Sequence, residues 1–176
     1  MRIYATDGLV ENNQFRNLAH HGLMIGMELS WPEVYHARNI TIRNNTFAGI
    51  SNLANIWLKS RLGNYSEAQG MGNQDITIEG NTFTSYGART ERGVPGAALG
   101  AITVTNARNV RIRNNNFGGS DATLTPPPEA IRLDLCAEVT VENNTIARRD
   151  RATEPIVLTA RADKASVTLR GNKITP

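Results

Sequence analysis

The amino-acid sequence predicts an all-β parallel solenoid of about six coils, without long helices, built as a single domain over residues 1–176. Three observations lead to this prediction. One short pattern recurs six times along the chain, and a second short apolar segment precedes most of the copies. No window carries the i, i+3, i+4, i+7 apolar spacing of an amphipathic helix.

The recurring pattern is apolar-x-apolar-x-x-Asn-x-apolar. Its clear copies span residues 40–47, 76–83, 110–117, 139–146 and 167–174, and a weaker copy spans residues 8–15. The fixed asparagines are Asn13, Asn45, Asn81, Asn115, Asn144 and Asn172, at spacings of 32, 36, 34, 29 and 28 residues. Short strands at such a period, without crossover helices, fit a solenoid in which equivalent strands of successive coils stack in parallel.

The second apolar segment precedes every copy except the first. These segments span residues 23–25, 56–58, 102–104, 131–133 and 156–158, and their aliphatic and β-branched alternation is typical of strands. Because successive strand residues point to opposite sides, Ile40, Ile42 and Phe47 are expected to point into the core. Their equivalents in the other copies should form columns of like residues.

The asparagine column has a physical explanation. It lies where the strand turns a corner, and a buried amide there can bond the matching amide one coil above and one coil below. Asparagine also tolerates the left-handed backbone that such turns use. The pattern therefore predicts an Asn ladder whose amides are satisfied everywhere except at its two ends.

Composition excludes several functional classes. A net charge of +3, from 19 basic and 16 acidic residues spread along the chain, is too mild for a nucleic-acid surface. No apolar run reaches about 18 residues, so we predict no membrane partner. One cysteine, Cys136, rules out a disulfide framework. The histidines show no ligand spacing, so we expect no metal and no cofactor. No signal peptide is visible, and localisation stays open.

The repeat resembles that of the right-handed parallel β-helix proteins of the pectate-lyase-like superfamily, over roughly residues 8–174. A second resemblance lies in Asp7-Gly-Leu-Val-Glu-Asn-Asn-Gln-Phe15, His21-Gly-Leu-Met-Ile-Gly-Met-Glu28 and Trp31-Pro-Glu33. These segments are similar to β-helix glycosidases that remove terminal α-linked galactose. The first resemblance implies a right-handed β-helix, and the second implies hydrolysis of a terminal glycosidic bond.

The ends of the chain suggest incomplete capping. Residues 1–7 contain no amphipathic cap, so the first coil is expected to begin in mid-turn. Two explanations stay open. The chain is the C-terminal part of a larger β-helix, or the uncapped coil end associates with another copy, because exposed strand edges favour pairing.

Candidate site residues follow from aligning the outward positions of the second strand. One column contains Trp57 and Arg132, and the next contains Lys59 and Asp134. We expect Trp57, Lys59, Arg132 and Trp31 to bind an oligosaccharide or glycoside substrate. Glycoside hydrolysis requires two carboxyl groups about 5 Å or about 6.5–9.5 Å apart, for which the candidates are Asp134, Glu28 and Glu33.

No carboxylate pair stands out from the sequence. Glu28 and Asp134 lie three coils apart, or about 14 Å, which is too far for a catalytic pair unless loops bend them together. Glu28 with Glu33, or Asp134 with Glu129 or Asp121, are closer alternatives. Trp57 could instead pack under a loop, and the charged residues could form surface pairs. Besides a glycosidase, a non-catalytic carbohydrate-binding or scaffold β-helix and an esterase remain open.

Overall fold

The computed structural model of the protein describes residues 1–26, 36–49, 54–59, 72–84, 86, 100–119, 129–148 and 154–176. These residues form a ten-stranded and a six-stranded β-sheet, and every strand pairing within them is parallel. Neighbouring strands in each sheet come from successive copies of the repeat. The predicted all-β parallel solenoid is therefore confirmed.

The larger sheet consists of two rows of strands that share two long members. The first row contains β1 (Arg2–Ile3), β4 (Leu23–Ile25), β7 (Ile56–Lys59), β10 (Ile102–Arg113), β12 (Ile131–Glu142) and β14 (Ile156–Leu158). The second row contains β2 (Thr6–Glu11), β5 (Arg38–Arg43), β8 (Asn73–Glu79), the later halves of β10 and β12, and β15 (Val167–Arg170). The five predicted second segments are all found as strands of the first row.

The smaller sheet follows each second-row strand around a corner. It contains β3 (Gln14–Arg16), β6 (Thr46–Ala48), β9 (Thr82–Phe83), β11 (Asn116–Phe117), β13 (Thr145–Ala147) and β16 (Lys173–Thr175). Its four inner strands have a neighbour on both sides. Within the described part of the chain, the one helical element is a short 3-10 turn, Lys164–Ser166.

The core is built from the columns that the repeat predicted. Ile40, Ile42 and Phe47 are at most 1% exposed, and their register partners in the inner copies are equally buried. Phe47 stacks on Phe15 at 4.8 Å and on Phe83 at 5.1 Å between ring centroids. Such columns of like side chains bury apolar surface along the whole solenoid, which is the main stabilising contribution to the fold.

The asparagine ladder also has the expected bonds. The backbone N–H and the Nδ2 of Asn45 both donate to Oδ1 of Asn81, at 2.9 and 3.0 Å. Asn81 donates in the same way to Asn115, at 2.9 and 3.1 Å. Each inner amide also donates to a carbonyl of the preceding coil, as Asn81 Nδ2 does to Ile42 O at 2.9 Å. Buried amides on the inner coils are therefore satisfied as both donors and acceptors.

One detail of the predicted corner was wrong. The left-handed residue is not the ladder asparagine but the residue before it, such as Asn44 at φ 54° or Gly80 at φ 63°. This explains why that position is always Asn or Gly in the repeat, since both adopt positive φ at low cost. The ladder asparagine is reserved for side-chain bonding instead.

The first copy also has a preceding strand, which the sequence did not predict. Arg2 and Ile3 form β1, which pairs in parallel with Met24 and Ile25. The strand escaped prediction because two residues are too few to show an alternating pattern. The first rung of the solenoid therefore has a strand in both rows.

Candidate functional site

The outward side of the first row carries four of the seven residues that the sequence selected. Met24, Trp57, Thr103 and Arg132 are consecutive register partners across β4, β7, β10 and β12. Lys59, Thr105 and Asp134 form the adjacent column. Trp57 is buried but lies outside the hydrophobic core cluster, which agrees with an outward position. We call these two columns the outward face.

Trp57 and Lys59 contact each other on β7. The Lys59 ammonium lies 4.1 Å from the centroid of the Trp57 ring, within the range of a cation–π interaction. Both residues are only 6% exposed. One face of the indole is therefore covered by Lys59.

Two buried polar atoms on the outward face have no hydrogen-bond partner among the residues that the structure describes. They are the indole Nε1 of Trp57 and the hydroxyl Oγ1 of Thr103, which are register partners on adjacent strands. Burying such groups without a partner costs free energy of order 1–3 kcal/mol each. An unpaired donor beside an unpaired donor-acceptor is chemically suited to a hydroxyl-bearing ligand.

Arg132 continues the column beyond Thr103 and forms an ion pair with Glu129. Its Nη1 donates to Glu129 Oε1 at 2.7 Å, and the Glu129 side chain is only 7% exposed. Because Glu129 is buried, this pair is screened by solvent less than a surface pair would be. It places a carboxylate beside the first column of the outward face.

Asp134 is held by the following coil. Its carboxylate accepts hydrogen bonds from Thr159 Oγ1 and from Nε and Nη2 of Arg161. Burial raises the pKa of Asp134. The bonds from Arg161 and Thr159 and the charges of Arg161 and Arg132 lower it more, so the net pKa lies below its ordinary value. Asp134 is therefore ionised at neutral pH.

The structure describes only part of the predicted site. Trp57, Lys59, Arg132 and Asp134 share the outward face, and Glu28, Trp31 and Glu33 lie outside the described residues. The Arg161 partner of Asp134 was not anticipated from the sequence. The sequence feature that indicates this contact is the separation of 27 residues between Asp134 and Arg161. This separation is close to the length of one coil, so Arg161 lies next to Asp134 on the neighbouring coil.

The reactive side chains considered for other chemistries are placed as follows. Cys136 belongs to the core, and burial together with the charges of Asp134 and Asp163 raises its pKa to about 12. It is thus a poor thiolate nucleophile for an esterase. Burial, with neighbouring positive charges, lowers the pKa of His21 to about 4 and also lowers that of His36. Among the described residues, no three His, Cys, Asp or Glu side chains are grouped for a metal.

The chain belongs to the right-handed β-helix family. The family model for the right-handed β-helix region matches residues 2–176, which is nearly the whole chain. A crystal structure of a "putative glycosyl hydrolase" from Parabacteroides merdae is similar at a TM-score of 0.40 and 13% identity, covering 98% of this chain and 81% of that one. Comparison with curated proteins finds no match. In the part of the chain that the structure describes, no helix could span a membrane.

Proposed function

We propose that this protein is a carbohydrate-active β-helix that binds an oligosaccharide or glycoside on its outward face and hydrolyses a glycosidic bond. The observation that supports binding is the adjacent pair of unpartnered polar atoms, Trp57 Nε1 and Thr103 Oγ1. Sugar hydroxyls both donate and accept, so one hydroxyl group can satisfy both atoms. Lys59, Arg132 and Glu129 supply further polar groups around this pair.

In this proposal Trp57 binds through its indole N–H rather than through a free ring face. The Lys59 ammonium over the ring supports this binding mode, because it covers one face of the indole. Trp31 is the alternative stacking residue. The ligand class is therefore one that presents hydroxyl groups to a buried N–H and a hydroxyl, as a saccharide does.

For hydrolysis we propose Asp134 as the ionised carboxylate. Its lowered pKa suits a nucleophile or base and not a proton donor. A second carboxyl group must supply the proton. Glu129 on the same coil and Glu28 or Glu33 remain the candidates for that role.

Binding without turnover is the second candidate function. It is favoured by the ion pair that occupies Asp134, because both carboxylate oxygens accept from Arg161. A carboxylate held in this way can orient a ligand without attacking it. The two candidates differ in whether a glycosidic bond is cleaved at all.

The test combines a screen for turnover with calorimetry. The chain is assayed against a panel of aryl glycosides, and binding of oligosaccharides is measured by calorimetry. Trp57→Phe keeps an aromatic ring and removes the N–H, and Thr103→Val keeps the shape and removes the hydroxyl. Each should weaken binding about tenfold, whereas Thr77→Val on the second row should leave it unchanged.

The role of Asp134 is separated by Asp134→Asn. If the protein is a hydrolase, this variant loses turnover and keeps most of its binding. If it only binds, no aryl glycoside is cleaved by the wild type, and calorimetry still detects an oligosaccharide. Failure of every saccharide to bind, or equal binding by Trp57→Phe and the wild type, would contradict the proposal.

A further inference from the structure

The solvent side of the second row carries two columns of outward side chains. Its four inner strands, β5, β8, β10 and β12, each have a strand neighbour on both sides. One column consists of the register partners in the last position of these strands: Arg43, Glu79, Arg113 and Glu142. The column beside it contains Thr41, Thr77, Arg111 and Thr140. We call these two columns the second-row face.

The first of these columns alternates in the sign of its charge from coil to coil. Arg113 Nε donates to Glu79 Oε2 at 2.7 Å. The same bond, also at 2.7 Å, joins the pairs on either side, which are Arg43 with Glu11 and Arg170 with Glu142. The Arg43 and Arg113 side chains are still 42% and 40% exposed, and that of Glu79 is 24% exposed. These groups are therefore accessible to a further opposite charge.

The second column carries polar groups that make no bond within the chain. Among the residues that the structure describes, the side chains of Thr41, Thr77, Arg111 and Thr140 have no hydrogen-bond or ion-pair partner. Arg111 is exposed, and the three threonines are half-buried. A threonine hydroxyl both donates and accepts, whereas a guanidinium only donates. The second-row face thus combines alternating charge with unused donors and acceptors.

We propose that a second copy of this chain packs on the second-row face. The two copies are related by a two-fold axis that runs along the strand direction and passes between β8 and β10. Rotation about this axis reverses the order of the coils but keeps each column opposite itself. Glu79 then faces the second copy's Arg113, and Arg43 faces the second copy's Glu142. In the adjacent column Thr77 faces the second copy's Arg111.

This arrangement is self-complementary because the charge alternates along the column. Every charge of the inner coils in that column meets an opposite charge, and each contact occurs twice, as in any isologous interface. A two-fold axis along the solenoid would instead place Glu79 opposite Glu79 and Arg113 opposite Arg113. A sideways shift of that arrangement would place Arg111 opposite Arg113. Like charges directly opposite each other are destabilising, so the charges favour the first arrangement.

The size of the face indicates a weak and reversible dimer. With coils about 4.8 Å apart and residues about 3.3 Å apart along each strand, the inner coils present on the order of 300 Å² on each copy. Interfaces below about 1,200 Å² in total are typical of transient association. The inference is independent of the proposed carbohydrate function, because the outward face lies on the other row of strands and stays accessible in the dimer.

Sedimentation equilibrium of the full chain at low salt, from low micromolar to near-millimolar concentration, tests the proposal. The average mass of the wild type should rise toward that of a dimer, and the rise should be lost in about 0.5 M salt because salt screens exposed charges. Glu79→Arg should associate roughly tenfold more weakly, because it creates two like-charge contacts. Glu154→Arg is the matched control. It makes the same change in charge and also removes an ion pair, with Arg148, but it lies before β14 of the first row. It should associate as the wild type does.

A charge exchange tests the orientation of the two copies. The double variant Glu79→Arg/Arg113→Glu again places opposite charges across the two-fold axis, so it should associate with itself. Mixed with fluorescently labelled wild type, it should not form a joint dimer, because Arg then faces Arg and Glu faces Glu. Circular dichroism checks that each variant folds. A wild type that stays monomeric throughout, a Glu79→Arg variant that associates like the wild type, or a double variant that pairs equally well with the wild type would overturn the proposal.

Discussion

Truncation of an inner ladder asparagine should be among the most damaging single changes in this protein. Asn81 is 1% exposed and takes part in four side-chain hydrogen bonds. Its Oδ1 accepts from the backbone N–H and the Nδ2 of Asn45, and its Nδ2 donates to Ile42 O and Asn115 Oδ1. Asn81→Ala removes all four bonds and leaves the backbone N–H of Asn45 buried without a hydrogen-bond partner.

The expected loss of unfolding free energy follows from the hydrogen bonds that are removed and from the buried group that is left without a partner. A hydrogen bond contributes about 1 kcal/mol net, and a buried group left unpaired costs about 1–3 kcal/mol more. Because several bonds vanish together inside one network, we expect Asn81→Ala to lower the free energy of unfolding by about 3–5 kcal/mol. This is a large share of the roughly 5–15 kcal/mol by which domains are usually stable.

Asn13→Ala is the matched control, since it deletes the same atoms from the exposed first rung. The Asn13 side chain donates to Glu11 O and Asn45 Oδ1, and Asn45 Oδ1 keeps its bond from the Asn13 backbone. We expect a loss of about 0.5–1 kcal/mol. Urea unfolding, followed by circular dichroism, measures the free energy of unfolding of both variants. The two values are compared only if the slopes of unfolding free energy against urea concentration are equal. A difference between them below about 1 kcal/mol would refute the view that ladder bonding stabilises the inner coils.

Three further outcomes are expected. Phe83→Ala, between two stacked rings, should cost about 3–5 kcal/mol of unfolding free energy in urea titrations, and Phe15→Ala clearly less. The pKa of Asp134 is lower in the folded than in the unfolded protein. Its contribution to the free energy of unfolding is therefore fully present above about pH 4 and is lost as the pH falls through its folded pKa. The stability difference between wild type and Asp134→Ala should therefore shrink on acidification, and a constant difference would contradict this. Because its pKa is raised to about 12, Cys136 should resist alkylation at pH 8 until the chain unfolds, as mass spectrometry would show.

The core could be predicted from sequence because a solenoid repeats its environment. Ile40, Ile42 and Phe47 face the same neighbours as their equivalents in other coils, so each copy of the pattern reports the same position. The Asn45 ladder was predictable for the same reason. A column of one polar residue at a buried corner has few physical explanations other than bonding to itself.

The outward face was harder to predict, because its residues differ from coil to coil. The sequence placed Trp57 and Arg132 in one column correctly, because the register of the strands decides that position. The contacts that determine their chemistry depend on neighbours that the repeat does not specify. Lys59 covers one face of the Trp57 ring, and Arg161 reaches Asp134 from the next coil.

The variable spacing of the ladder shows that the core columns tolerate coils of different length. Neighbouring ladder asparagines are 28 to 36 residues apart, yet their bonds stay between 2.9 and 3.1 Å. Extra residues are therefore accommodated between the strands without a change in register. In β10 and β12 the first-row and second-row segments form one continuous strand, so the outward face is fixed directly to the ladder. A substitution on the outward face, such as one at Thr103, can then leave the packing of the core columns unchanged.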